Sequence, residues 1–177
     1  VVTGNDLGLT VTITGENITG SSAINVGTYT AEAAITNDNY VIAAGNQTAT
    51  FTITARALTL NWGTTSFVYD GKAQTPNPTV NNAVTGDNLW LTVTITGENI
   101  TGSPAAAINV GTYTAEAAIT NNNYVIAADN KTTFTITARE LTLDWGTTSF
   151  VYNGEAHTPN PTVNNAVTGD NLGLTIT

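Results

Sequence analysis

The 177 residues carry thirteen acidic against four basic side chains, a formal charge of −9, and contain neither cysteine nor methionine. That charge repels phosphate backbones and anionic lipid surfaces, so nucleic acid is not an expected partner, and the missing thiol excludes disulfides, cysteine nucleophiles and cysteine metal sites. Thr, Asn, Gly, Ala and Val dominate and only 10% of residues are charged, a mixture of β-branched and turn-forming side chains that points to strands joined by tight turns.

The elements follow in chain order. Leu58, Leu60 and Trp62 alternate with Thr59 and Asn61, which predicts a strand with one apolar face. Asp70-Gly71 follows the apolar Phe67-Val68-Tyr69 and predicts a two-residue type I′ hairpin turn. Pro76 and Pro78 then mark an edge or a loop. Over residues 89–96, Leu89, Leu91, Val93 and Ile95 share one face, which puts Trp90 on the polar face with Thr92, Thr94 and Thr96. Pro104 to Ala107 is the only helix candidate and is too short to stand alone. Over residues 111–119, Tyr113, Ala115, Ala117 and Ile119 point inward, and Phe134, Ile136 and Ala138 do the same further on. Asn153-Gly154, Pro159 and Pro161 repeat the turn and the prolines. No apolar run approaches the roughly 20 residues of a membrane helix, so this segment is not expected to insert. With no targeting pattern and no initiator either, the chain reads as a piece of something longer.

Self-similarity is the strongest signal. TGNDLGLTVTITGENITGS from Thr3 returns from Thr85 as TGDNLWLTVTITGENITGS, and its opening returns from Thr168 as TGDNLGLTIT. LTLNWGTTSFVYDGKAQTPNPTVNNAVTGDN from Leu58 returns from Leu141 with few changes. The period, Tyr69 to Tyr152, is 83 residues, too long for a solenoid coil and suited to one small β-sandwich. We place one complete repeat at 56–138, the closing part of another at 1–55 and the opening part of a third at 139–177. No Gly, Ser or Pro run separates them, so the string is expected to be semi-rigid.

Asn-Val-Gly-Thr-Tyr-Thr from Asn25 and Asn109, Asn-Tyr-Val-Ile from Asn39 and Asn123, a closing Phe-Thr-Ile-Thr-Ala and an opening Tyr-Asp/Asn-Gly resemble the tandem MBG-type or YDG-type immunoglobulin-like repeats of large bacterial surface adhesins. The resemblance implies all-β, tandem immunoglobulin-like β-sandwich repeats in a secreted or cell-surface protein, acting as a stalk, spacer or fibre. The alternative is a module that itself binds a glycan or a host protein. It carries over no catalytic residue.

The residues themselves argue against an enzyme. His157 is the one imidazole and its counterpart is Gln74, so a triad or metal cluster would exist in one copy only. Glu16, Glu98, Glu32 and Glu116 repeat but read as solubilising charges. Neither Lys72, replaced by Glu155, nor Lys131, at the place of Gln47, recurs, which argues against a repeat-encoded isopeptide cross-link. Calcium is the only cofactor the sequence suggests, through Asp38-Asn39, Asp87-Asn88 and Asp170-Asn171, although the same residues are ordinary in turns. Rows of outward Thr suggest an ice-binding plane, but one row per repeat is short for that purpose. Asn17, Asn46, Asn99 and Asn130 each open an Asn-x-Thr sequon, relevant only to a eukaryotic secretory route.

Trp62 and Trp145 recur in the inward register and are expected in the core. Trp90 is the candidate partner contact, because its counterparts Gly8 and Gly173 show that the core does not need it. The remaining expected partners are neighbouring repeats, including head-to-tail self-association in which the opening strands of one chain complete the closing strands of the next.

Overall fold

A computed structural model describes residues 6–102 and 105–177. The fold is all-β, with no helix among the described residues. The first part carries β1 (Thr10–Gly15), β2 (Ile18–Thr19), β3 (Ser22–Ala23), β4 (Gly27–Ala34) and β5 (Thr48–Ile53). Residues 56–138, the span read above as one repeat, open with β6 (Arg56–Asn61), β7 (Ser66–Val68) and β8 (Thr79–Asn81). They continue with β9 (Thr92–Thr96), β10 (Ile100–Thr101), β11 (Ala106–Ala107), β12 (Gly111–Ala118), β13 (Tyr124–Ile126) and β14 (Lys131–Thr137). β15 (Thr142–Asp144) and β16 (Thr162–Asn164) follow. The described residues form two compact units, one holding those up to Thr59 with Val80–Leu91 and Ile119–Ala128, the other holding Leu60–Thr79, those of Thr92–Ala118 and the chain from Asp129.

In the first unit, β1, β4 and β5 form an antiparallel sheet in that order. Tyr29 of β4 faces Phe51 of β5 with ring centroids 5.4 Å apart, a cross-strand aromatic pair that fixes the register. A second sheet, ordered β13-β6-β8, falls largely in this unit. There β13 runs parallel to β6 with Tyr124 opposite Arg56 and Ile126 opposite Leu58, and Leu58 is fully buried.

The second unit is built on a four-stranded sheet ordered β7-β14-β12-β9, antiparallel except for the parallel pair β7 and β14. The predicted alternation holds here: Tyr113, Ala115 and Ala117 of β12, Phe134 and Ile136 of β14 and Ile95 of β9 are all buried. Phe134 stacks on Tyr113 at 5.3 Å and takes the edge of Phe67 at 5.9 Å. Burying one such ring stabilises the fold by about 1.5–3 kcal/mol. The Tyr113 hydroxyl donates to the Asn109 carbonyl at 2.7 Å, and Tyr29 does the same to Asn25. Each tyrosine thereby ties its strand to the chain just before it. Gly97 lies against the Tyr113 ring, where a Cβ would come within 2.7 Å of Cδ1, so a larger residue there displaces the ring.

Several expectations change. The strand read over residues 89–96 begins only at Thr92, because the backbone turns at Trp90. β14 ends at Thr137 and Ala138 is exposed. Asp70-Gly71 and Asn153-Gly154 are not type I′ hairpins: Gly71 and Gly154 have positive φ, but Asp70 and Asn153 do not, and β7 pairs with β14 rather than with β8. The aspartate instead accepts the Lys72 amide and the Gln74 side chain on Oδ1, and Asn153 accepts the Glu155 amide. A side-chain turn has replaced the backbone one. Pro104 lies outside the described residues, and Ala106–Ala107 is strand β11, paired with β10. Trp62 is buried and donates Nε1–H to the Asp129 carbonyl at 2.8 Å, whereas Trp145 is 44% exposed. No equivalent bond is made by the Trp145 indole among the described residues.

Candidate functional site

Trp90 stands at φ +48°, a left-handed conformation that costs any residue with a Cβ. Its counterparts Gly8 and Gly173 have φ of +57° and +59°, which explains why glycine serves the other two copies. The turn is the same in all three: Asp6, Asn88 and Asn171 each accept, on Oδ1, the amide of the residue two positions on. The indole is 57% exposed, as its predicted outward placement requires, although a turn and not a strand puts it there. It forms one wall of an open cleft of about 270 Å³ in the first unit, whose other lining includes Asn17, Asn25, Val26, Asn121 and Asn123.

Those asparagines form the tie between consecutive repeats. Asn123 Oδ1 accepts the Val26 amide at 2.8 Å, and its Nδ2 donates to Asn25 Oδ1 at 2.9 Å. The Asn123 carbonyl accepts the Arg56 amide at 2.9 Å. Asn17 Nδ2 donates to the Val26 carbonyl, so the Asn-Val step is held on both sides. Next along the chain, the buried Tyr124 hydroxyl donates to Asp87 Oδ2 and accepts the Val84 amide. That hydrogen bond to Asp87 comes first, with burial second, in raising the Tyr124 phenol above its ordinary range. Arg56 Nε donates to the carbonyl of Asn82, itself at φ 70°. All these residues belong to the first compact unit. Sequence reasoning missed the tie, although its parts were visible as the recurring Asn-Val and Asn-Tyr pairs.

Other candidate residues are scattered. His157 is exposed, meets Asn153 Oδ1 at 2.9 Å and stacks on Phe150 at 4.8 Å. Asp87 and Asp170 accept tyrosine hydroxyls, from Tyr124 and Tyr69 respectively. Bonding to Asp170 is the first cause that raises the Tyr69 phenol, and the Lys72 amide is the first that lowers the Asp70 carboxyl. No group of three or more His, Asp or Glu side chains gathers among the described residues as a metal ion would need. Glu116 pairs with Lys131 at 3.2 Å and interrupts the threonine rows formed by Thr96, Thr114 and Thr133 across β9, β12 and β14. Asn99, one of the sequon residues, donates to the Val110 carbonyl as Asn17 does to that of Val26.

No curated protein and no solved structure matches the chain. A family profile, that of the MBG domain, matches it twice in succession, over residues 1–57 and 57–140. Two adjacent matches covering most of the sequence, on an all-β chain with an 83-residue period, make this chain a member of the MBG domain family, present as tandem repeats.

Proposed function

We propose that the chain is a non-catalytic structural repeat of a bacterial surface protein, a stalk or fibre segment that holds a binding head away from the cell. The observation that carries this reading is the tie at Asn123, whose side chain makes two hydrogen bonds to the preceding repeat, at Asn25 and Val26, with no linker between the repeats. A spacer needs joints that resist bending, and part-buried polar bonds of this kind contribute to that resistance. Membership of a family whose repeats are typical of surface proteins supports an extracellular setting. Antibody raised against residues 56–138 should label intact cells that make the parent protein. Labelling that appears only after the cells are broken open overturns the reading.

A second reading has one observation in its favour. An exposed indole beside a wall of asparagine amides offers stacking and hydrogen bonding together, which a sugar ring can use. A glycan array probed with the chain and with W90G decides it: retained glycan binding that W90G abolishes makes the repeat itself the adhesive element.

A further inference from the structure

Trp90 is strained where its counterparts are not. At φ +48° its backbone is left-handed, the conformation that glycine adopts freely at Gly8 and Gly173. The ring does little for the fold in exchange, since 57% of the residue stays exposed. A bulky side chain held this way without packing to justify it points to a use at the surface. Around the indole the cleft is polar and uncharged: five asparagines and Thr120 stand against two apolar side chains, Trp90 and Val26. The asparagine wall is fixed from below. Asn121 Nδ2 donates to the Asn88 carbonyl at 2.9 Å, and its Oδ1 accepts the Asn123 amide at 3.0 Å. Bonds at Asn17 and Asn25 leave Asn17 Oδ1 and Asn25 Nδ2 unused, and the Asn122 side chain makes no bond among the described residues. Unpartnered donors and acceptors thus belong to a preorganised wall beside an exposed aromatic face.

We infer that this cleft binds one uncharged pyranose ring and is assembled from two consecutive repeats; the inference deepens the glycan reading above and rests on it. Asn17, Asn25 and Val26 come from the preceding repeat, and Trp90 with Asn121 to Asn123 from the one that follows. At about 270 Å³ the cleft is just under the roughly 300–1,000 Å³ of sites for drug-sized ligands, which suits a single ring. The indole supplies an apolar face for the ring's C–H groups, and the amides match its hydroxyls as donors and acceptors. Charge decides the class. An anionic sugar would enter with no cationic side chain to meet it, on a chain of net charge −9. Arg56, whose amide meets the Asn123 carbonyl, directs its guanidinium to the Asn82 carbonyl instead. Every lining residue lies between positions 17 and 123. In the second unit, Tyr69 to Gln74 bond to Ala107, Thr137, Arg139 and Asp170, and to none of Asn99, Asn109 and Gly173, the counterparts of Asn17, Asn25 and Trp90. The same segment of a preceding repeat would therefore leave the cleft open, so the site does not depend on what flanks this sequence.

The test titrates the full 177-residue chain with free sugars up to tens of millimolar and follows N–H resonances by NMR, which detects weak binding and locates it. Glucose, galactose and N-acetylglucosamine are the uncharged probes; glucuronic acid, N-acetylneuraminic acid and galactose 6-sulfate are the charged ones. At least one uncharged sugar should shift the Trp90 indole N–H and the Asn122 side-chain amide, and no charged sugar should. W90G should abolish the Asn122 shift. N17A in the preceding repeat and N122A in the following one should each weaken binding by about two- to tenfold, the worth of one hydrogen bond, with unchanged circular dichroism. Charged sugars that bind at Trp90 as well as uncharged ones overturn this inference and leave the glycan reading standing. Binding at Trp90 that N17A leaves unchanged overturns the two-repeat site. No shift at Trp90 with any sugar overturns the inference and the glycan reading together.

Discussion

Replacing Trp90 by glycine and, separately, by alanine isolates the cost of its backbone from the contribution of its ring. Both substitutions remove the same indole. At 57% exposure, a side chain of about 250 Å² keeps roughly 110 Å² from water, so the shared loss is at most about 2.7 kcal/mol at 25 cal/mol per Å². What differs between the variants is the Cβ. At φ +48°, alanine keeps the left-handed penalty of about 1–2 kcal/mol, while glycine escapes it and gives up about 0.5–1 kcal/mol of backbone entropy. W90G should therefore be the more stable of the two by roughly 0.5–1 kcal/mol, the reverse of the order expected in a strand. Urea midpoints at equal m-value measure the difference. If W90A equals or exceeds W90G, the left-handed turn is wrong and Trp90 sits on an extended strand.

G97A should cost about 1–3 kcal/mol, because the new methyl meets the Tyr113 ring at 2.7 Å in a packed core; an unchanged thermal midpoint would show that the ring has room to move. N123A removes two side-chain bonds and should cost about 1–2 kcal/mol, with faster hydrogen exchange at the Val26 amide and unchanged exchange in β12; equal protection at Val26 would mean that the tie does not hold the joint. The Tyr69 and Tyr124 phenols are both raised above 10.0 in the fold. Below pH 10 both are protonated folded and unfolded, and above it the unfolded chain releases protons first, so stability should fall as pH climbs past 10. Y124F should flatten that fall in an unfolding series from pH 8 to 11, and an identical slope would remove Tyr124 from it.

The strand faces of β12 and β14 were legible because their two-residue alternation runs over six or more residues, and a one-residue slip would expose Tyr113 and Phe134 together. The turns were less legible. Asp-Gly and Asn-Gly fit a type I′ hairpin, but the side chains of Asp70 and Asn153 capture nearby amides, a choice that depends on which strand comes next in space. Trp90 was read on the right side of the chain for the wrong reason: alternation continued one turn too far, although glycine at both other copies signalled a left-handed backbone. Trp145 shows the limit of reading a repeat by analogy, since its burial depends on a segment that follows it by some 67 residues in the complete copy, the separation of Trp62 from Asp129. The tie at Asn123 spans 97 residues to Val26. No local pattern announces such a contact; only the recurrence of Asn-Val and Asn-Tyr in both copies hints at it.

The central claim, a repeat built as a load-bearing spacer, is tested most directly by pulling the 177-residue chain between two handles in a single-molecule force experiment. The account predicts a discrete, cooperative rupture that releases roughly 280 Å of contour, the 83 residues of one repeat at about 3.4 Å each, less the folded length. N123A should lower the force of the first event. Smooth extension at low force, with no discrete step of that size, would contradict it.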